Sequence, residues 1–180
     1  MISDFVKGKK KFDYPLDILR GITLHRIIDT FTDEHEATRN AKQYFRPDYR
    51  LYSGAFVDVV YDHFLAGDNT EFSESSLQDF SRGVYHTLDK YQSWLPEQFA
   101  LVFPYMKRHD WLFHYRTLAG AKKSFGGVVR RSAYLTDSET AGRILEAHYQ
   151  PLQQCYRQFW EDVKPFAKKQ LGLLLADNNK

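Results

Sequence analysis

Apolar residues recur at helical spacing along almost the whole chain, and no stretch of useful length alternates in the manner of a half-buried strand. Pro15 suits the first turn of a helix that runs through Leu16, Leu19, Ile22, Ile27 and Phe31, with Asp13 as the expected cap. Thr32 or Asp33 should cap a more polar helix from residue 34 to about residue 45, stopped at Arg46-Pro47. Across residues 49–66, Leu51, Ala55, Phe56, Val59, Val60, Phe64 and Leu65 leave little polar surface, which predicts a central helix closed by Gly67-Asp68-Asn69. Further helices are expected from Ser73 through Tyr91 and from Pro96 through Phe103, with Pro104 bending or ending the second. An aromatic stretch at 111–116 leads to a turn at Ala119-Gly120 and a helix reaching Arg130-Arg131. One long helix should then run from Thr136 or Ser138 to Gly172, kinked at Pro151 and Pro165. The expected fold is all-α, a single-domain helical bundle over residues 1–180, with the helices carrying His25 and Asp62 at its centre.

Two polar sets interrupt these apolar faces. His25 and Asp29 lie one helical turn apart in a row continued by Ile18 and Ile22, and Asp33 follows one turn later. Asp58, Asp62 and His63 interrupt the apolar run of the central helix at the same spacing. Buried carboxylates must be protonated, hydrogen-bonded, paired or bound to a cation. A lone buried imidazole is more often a hydrogen-bonded core residue than a ligand. His25, Asp29, Asp62 and His63 together form the mixed nitrogen and oxygen set that suits Mn²⁺, Fe²⁺, Zn²⁺ or hydrated Mg²⁺. The bland alternative is a polar network inside a helical binding protein. Asp33 reads equally as a helix cap, and Asp58 as either an acceptor behind a ligand or a surface carboxylate. Arg26 could pair with an acidic neighbour or reach an anionic substrate. Lys7, Lys9, Lys10, Lys11, Arg130 and Arg131 read as solvated charges or as steering for an acidic partner. His35, His86, His109 and His148 stand in polar contexts and receive no role.

Composition narrows this picture. A chain of 180 residues, 43% hydrophobic and 16% aromatic, can bury a core without disulfides, and its lone cysteine, Cys155, cannot form one internally. A net charge of +2 and the absence of a recognisable module argue against nucleic-acid binding. No run is long and apolar enough to span a membrane and no signal-type core follows the basic start, so the expected location is cytoplasmic. Nucleophile elbows, phosphate-binding glycine loops, dinucleotide fingerprints and zinc signatures are missing.

The residues that remain resemble the acyl carrier protein phosphodiesterase family, distant relatives of HD-type metal phosphohydrolases. The matching text is Ile2-Ser3-Asp4-Phe5-Val6-Lys7-Gly8, Gly21-Ile22, Leu24-His25-Arg26-Ile27-Ile28-Asp29, Thr32-Asp33 and Asp58-Val59-Val60-Tyr61-Asp62-His63-Phe64-Leu65. Trp111-Leu112 with Tyr115, Arg130-Arg131, Ala147-His148-Tyr149 and Phe159-Trp160 extend the match over nearly the whole chain. The resemblance implies an HD-like bundle and a divalent-metal-dependent hydrolase of lipid metabolism, Mn²⁺ first with Mg²⁺ or Fe²⁺ as alternatives. Its reaction would remove 4′-phosphopantetheine from holo acyl carrier protein to leave the apo form. It further implies metal ligands at His25, Asp29, Asp62 and His63, catalytic carboxylates at Asp4, Asp33 and Asp58, and contacts to an acidic carrier or its phosphate at Lys7, Arg26, Arg130 and Arg131. Family members begin earlier, with an Asn-Phe-Leu-Ala-His type segment. The expectation is therefore that this chain lacks an N-terminal segment and binds metal less well. A nucleotide or other small phosphoester is the alternative substrate, and a non-catalytic binding role the alternative to hydrolysis.

Overall fold

The helical periodicity is realised throughout a computed structural model that describes residues 2–176, with no strand among the described residues. Two 3-10 turns, Ser3–Phe5 and Gly8–Asp13, precede α1 (Leu16–Glu34), α2 (Glu36–Tyr49), α3 (Ser53–Ala66), α4 (Glu74–Lys90) and α5 (Glu97–Arg108). A single turn, α6 (Trp111–His114), leads to α7 (Leu118–Arg131), α8 (Glu139–Ala147) and α9 (Tyr149–Ala176). No described helix is long and apolar enough to cross a membrane.

Several boundaries differ from expectation for local reasons. Pro15 itself, not Asp13, occupies the N-cap of α1. His35 caps α2, its Nδ1 accepting the Ala37 N–H, so Thr32 and Asp33 stay inside α1. Pro47 sits within the last turn of α2 and Pro104 within α5, and neither ends its helix. Ser73 caps α4 as expected, through the Ser76 N–H. The single C-terminal helix is two, α8 and α9, broken at His148; Pro151 then falls in the first turn of α9, where its missing N–H costs nothing.

α3 is central because nearly every side is apolar. Phe56, Val57 and Val60 are fully buried, and the helix packs on α2, α7 and α9. The Phe56 ring lies 5.9 Å from Phe45 and 5.6 Å from Phe125, and burying each such ring contributes roughly 2–3 kcal/mol. α1, expected at the centre, is peripheral: only Ile22 on it is fully buried, and Phe31 stacks on Phe166 of α9 at 4.3 Å. A second, smaller core gathers Tyr85, Phe99, Phe103 and Met106 from α4 and α5, with Ile2, Phe5 and Trp111 packed against it.

The expected turn at Ala119-Gly120 is the first turn of α7, where the glycine serves close packing. A β-carbon on Gly120 would stand 1.9 Å from the carbonyl oxygen of His114. Gly120→Ala should therefore force α6 and α7 apart and cost about 1–3 kcal/mol, read from the urea midpoint. An unchanged midpoint would mean the helices separate freely there.

Candidate functional site

The helix period alone places His25 over Asp29, and the two are bonded, His25 Nδ1 to Asp29 Oδ2 at 2.8 Å. A carboxylate only accepts, so Nδ1 carries the hydrogen and the lone pair of the neutral ring lies at Nε2. That nitrogen faces Asp4, whose Oδ1 is 3.9 Å away. Asp4, His25 and Asp29 each offer a donor atom, and these atoms lie within 4.8 Å of one another, a spacing that one divalent ion can span. The sequence pattern implied a buried pair. Because α1 is peripheral, the side chains are instead 32% exposed at His25 and 53% at Asp29, with Asp4 at 61%.

Asp4 reaches this pair on the segment that leads into the bundle. Ser3 and Val6 on either side are buried, and the Phe5 ring packs 5.5 Å from Phe99 in the smaller core. Arg26, next to His25, donates from one nitrogen to the carbonyl of Val6 and from another to that of Gly8 at 3.3 Å. The guanidinium expected to contact a carrier or its phosphate is thus engaged with the backbone of the segment that follows Asp4.

Asp58 and Asp62 lie one turn apart on α3. Asp58 is pushed up to about 6, first by the surrounding protein mass and then by the like charges of Asp33, Asp29 and Asp4, with Lys42 opposing. Asp62 is pushed up to about 7 by desolvation and then by Asp58. Both side chains are nonetheless open to solvent. Protein mass on one side weakens the hydration of each carboxyl, while the water that reaches it moderates the repulsion. Asp33 is bonded to Lys42 at 2.7 Å, which leaves it a charge partner more than a free base. Asp62 lies outside the closely spaced donor set of Asp4, His25 and Asp29.

His63 turns the other way. Its Nδ1 donates to the carbonyl of Tyr115 at 2.7 Å and its Nε2 accepts from the Tyr149 hydroxyl at 3.1 Å. Buried at 3% exposure, with burial lowering its pKa, it is a neutral core imidazole without a free lone pair. The structure does not bring His63, expected as a ligand, to the donor set: one step along α3 rotates the side chain about 100° away from Asp62.

Arg130 folds back along its own helix over Gly126 and Gly127, while Arg131 lies near the phenol of Tyr115, itself close to Asp62 and Asp58. Lys7, Lys9 and Lys10 are exposed on and beside the turn that follows Asp4, and no ion pair holds them among the described residues. Lys42 escaped notice in the sequence because its relation to Asp33 crosses a helix boundary. Its stem crosses α3 at Gly54, where a β-carbon would be 3.3 Å from the lysine Cε.

A carboxyl whose folded pKa lies above its unfolded value stabilises the fold most below that unfolded value, 3.8 here, and loses the contribution as pH rises through the folded one. In metal-free protein, Asp62→Asn should therefore raise the thermal midpoint by a few degrees at about pH 8 and by less at about pH 4. Asp58→Asn should behave alike, with its gain complete about one pH unit lower. A gain of the same size at both pH values would show that neither burial nor like charge raises these carboxyls.

A family model described as acyl carrier protein phosphodiesterase matches residues 1–163. The acyl carrier protein phosphodiesterase of Enterobacter sp. (strain 638) is 31% identical over 173 residues, covering 95% of this chain and 90% of that protein. The protein of the same name from Yersinia pestis is 30% identical over 161 residues, 89% of this chain and 83% of that one. A third, from Klebsiella pneumoniae, is 29% identical over 173 residues, 95% and 90% respectively. No solved structure matches, so none supports the expected kinship with HD-type phosphohydrolases. The family match runs through the strap bearing Asp4 and the helices bearing His25, Asp29 and Asp58, and the chain belongs to the acyl carrier protein phosphodiesterase family.

Proposed function

We propose that the chain is a divalent-metal-dependent phosphodiesterase that hydrolyses 4′-phosphopantetheine from holo acyl carrier protein, giving the apo carrier. The observation that supports this most is the convergence of Asp4, His25 and Asp29 within 4.8 Å in a chain matched by the family model over residues 1–163. Oxygen donors with one imidazole suit Mn²⁺, with Mg²⁺ or Fe²⁺ as alternatives. A cation held by Asp4 and His25 Nε2, with Asp29 orienting the imidazole or lending its second oxygen, would supply Lewis acidity: it would acidify a water and offset charge on the phosphodiester.

The remaining roles belong to side chains. Asp58, open to water and poised at about 6, suits a general base near neutral pH, taking a proton from the attacking water. The water oxygen bonds to phosphorus as the bond from phosphorus to the carrier's oxygen breaks, and the carrier oxygen leaves with a proton. Asp33 with Lys42 tunes the charge around Asp58. Asp62 extends the acidic wall toward Tyr115, where Arg131 supplies the nearby positive charge. Lys7, Lys9 and Lys10, exposed beside Asp4, are placed to attract an acidic carrier.

Holo carrier incubated with the protein and Mn²⁺ should lose the mass of its prosthetic group, and chelator should stop the loss. A carrier of unchanged mass beside a hydrolysed small phosphodiester would move the substrate to small phosphoesters; no hydrolysis of either would leave a binding protein. Asp58→Asn should lower kcat by about 10²–10⁴-fold and flatten the acid limb of the pH profile. Reversing Lys9 and Lys10 to Glu should raise KM for the carrier, most at low salt, with hydrolysis of the small diester unaltered. An unchanged KM would place docking elsewhere.

A further inference from the structure

We infer that Arg26 is the positioning residue that sets Asp4 against His25, making the donor set an assembly of two chain segments clasped by one guanidinium. The inference rests on the metal reading above for what the set is for, and on geometry alone for how it is held. Asp4 lies on a turn of only three residues, Ser3–Phe5, whose own hydrogen bonds, Phe5 N–H to Ile2 and Val6 N–H to Ser3, are confined to the turn. The turn lies against α1 with Ser3 and Val6 buried on either side of Asp4, and those bonds do not tie it to the helix. On its Ile2 and Phe5 side it is anchored to α4 and α5 through the smaller core. On its other side the anchor is Arg26, which reaches across to two carbonyls, those of Val6 and Gly8, in the stretch just after Asp4.

A planar guanidinium with its donors in a fixed fork holds two carbonyls at a set angle, which a flexible ammonium cannot do. Gly8, the far end of the clasp, adopts φ of 55°, a left-handed conformation that glycine reaches without strain and that turns the chain away after the second carbonyl. Because Arg26 is bonded in sequence to His25, the clasp and the imidazole share one stretch of helix, and any motion of α1 carries both ends of the Asp4–His25 pair together. Among the described residues the bonds of Arg26 go to the backbone that bears Asp4, and it acts through that backbone.

The test uses full-length protein with Arg26→Ala, Arg26→Lys, Asp4→Asn and the Arg26→Ala/Asp4→Asn double variant, each checked for a retained helical spectrum and melt. Amide exchange at residues 3–8 should quicken in Arg26→Ala and be partly restored in Arg26→Lys, while exchange in α3 stays as it was. Mn²⁺ titration followed by electron paramagnetic resonance should show Arg26→Ala weakened by about ten- to hundredfold, and the double variant no weaker than Asp4→Asn alone. Unaltered exchange at residues 3–8 overturns the clasp whatever the metal does, and additive losses in the double variant overturn its action through Asp4. If exchange quickens as expected but the unsubstituted protein takes up no Mn²⁺, the metal reading falls and the clasp on Asp4 stands.

Discussion

The site depends on holding Asp58 against protein mass that weakens its hydration and beside the like charges of Asp33, Asp29 and Asp4. Carboxylates left to themselves would spread apart, so Asp58, Asp29 and Asp33 are carried on helices that cannot move cheaply. Asp58 stands on α3, locked by Phe56, Val57 and Val60 in the main core. Asp29 and Asp33 stand on α1, seated on α9 through Phe31 and Phe166. Within this frame Lys42 is a partial counter-charge, set against Gly54 so that its long side chain lies between two closely packed helices. Hydrophobic burial thus holds in place a concentration of negative charge, and any cation the charge attracts returns stability to the fold by binding only the folded state.

The same constraint separates neighbours on one helix. Asp62 belongs to the acidic wall, while His63 beside it is sealed between Tyr115 and Tyr149 and ties α3 to the stretch after α6 and to the start of α9. A second aromatic junction forms at His35, which caps α2, contacts Asp162 and packs between Phe31 and Phe159. Two histidines that look alike as isolated letters thereby serve as joints, whereas His25 sets its ring between two carboxylates, Asp29 and Asp4.

Features governed by the helix period were legible in the sequence. The apolar face of α3, the Ser73 cap and the stacking of His25 on Asp29 each depend on residues a turn or less apart. What was not legible depends on contacts between turns. Whether Asp62 or His63 faces α1 is decided by the rotation of α3 against α2, α7 and α9, to which a run apolar on most sides gives no clue. The carbonyls held by Arg26 lie 18 and 20 residues upstream, beyond any periodic signal. Asp4 was singled out by motif resemblance only, since a three-residue turn carries no pattern. The break at His148 was hidden because α8 and α9 are both amphipathic and Pro151 is compatible with either a kink or a first turn.

The smaller core has one further consequence. Ile2 and Phe5, which anchor the segment bearing Asp4, belong with just four fully buried side chains of α4 and α5, whereas the helices bearing His25 and Asp58 belong to the larger aromatic cluster. Cooperative units of unequal size open at different free energies. Gentle heating that frays the lesser unit would let Asp4 drift from His25 while the main bundle still stands, so the donor set would come apart at a temperature where a spectroscopic melt registers an intact protein.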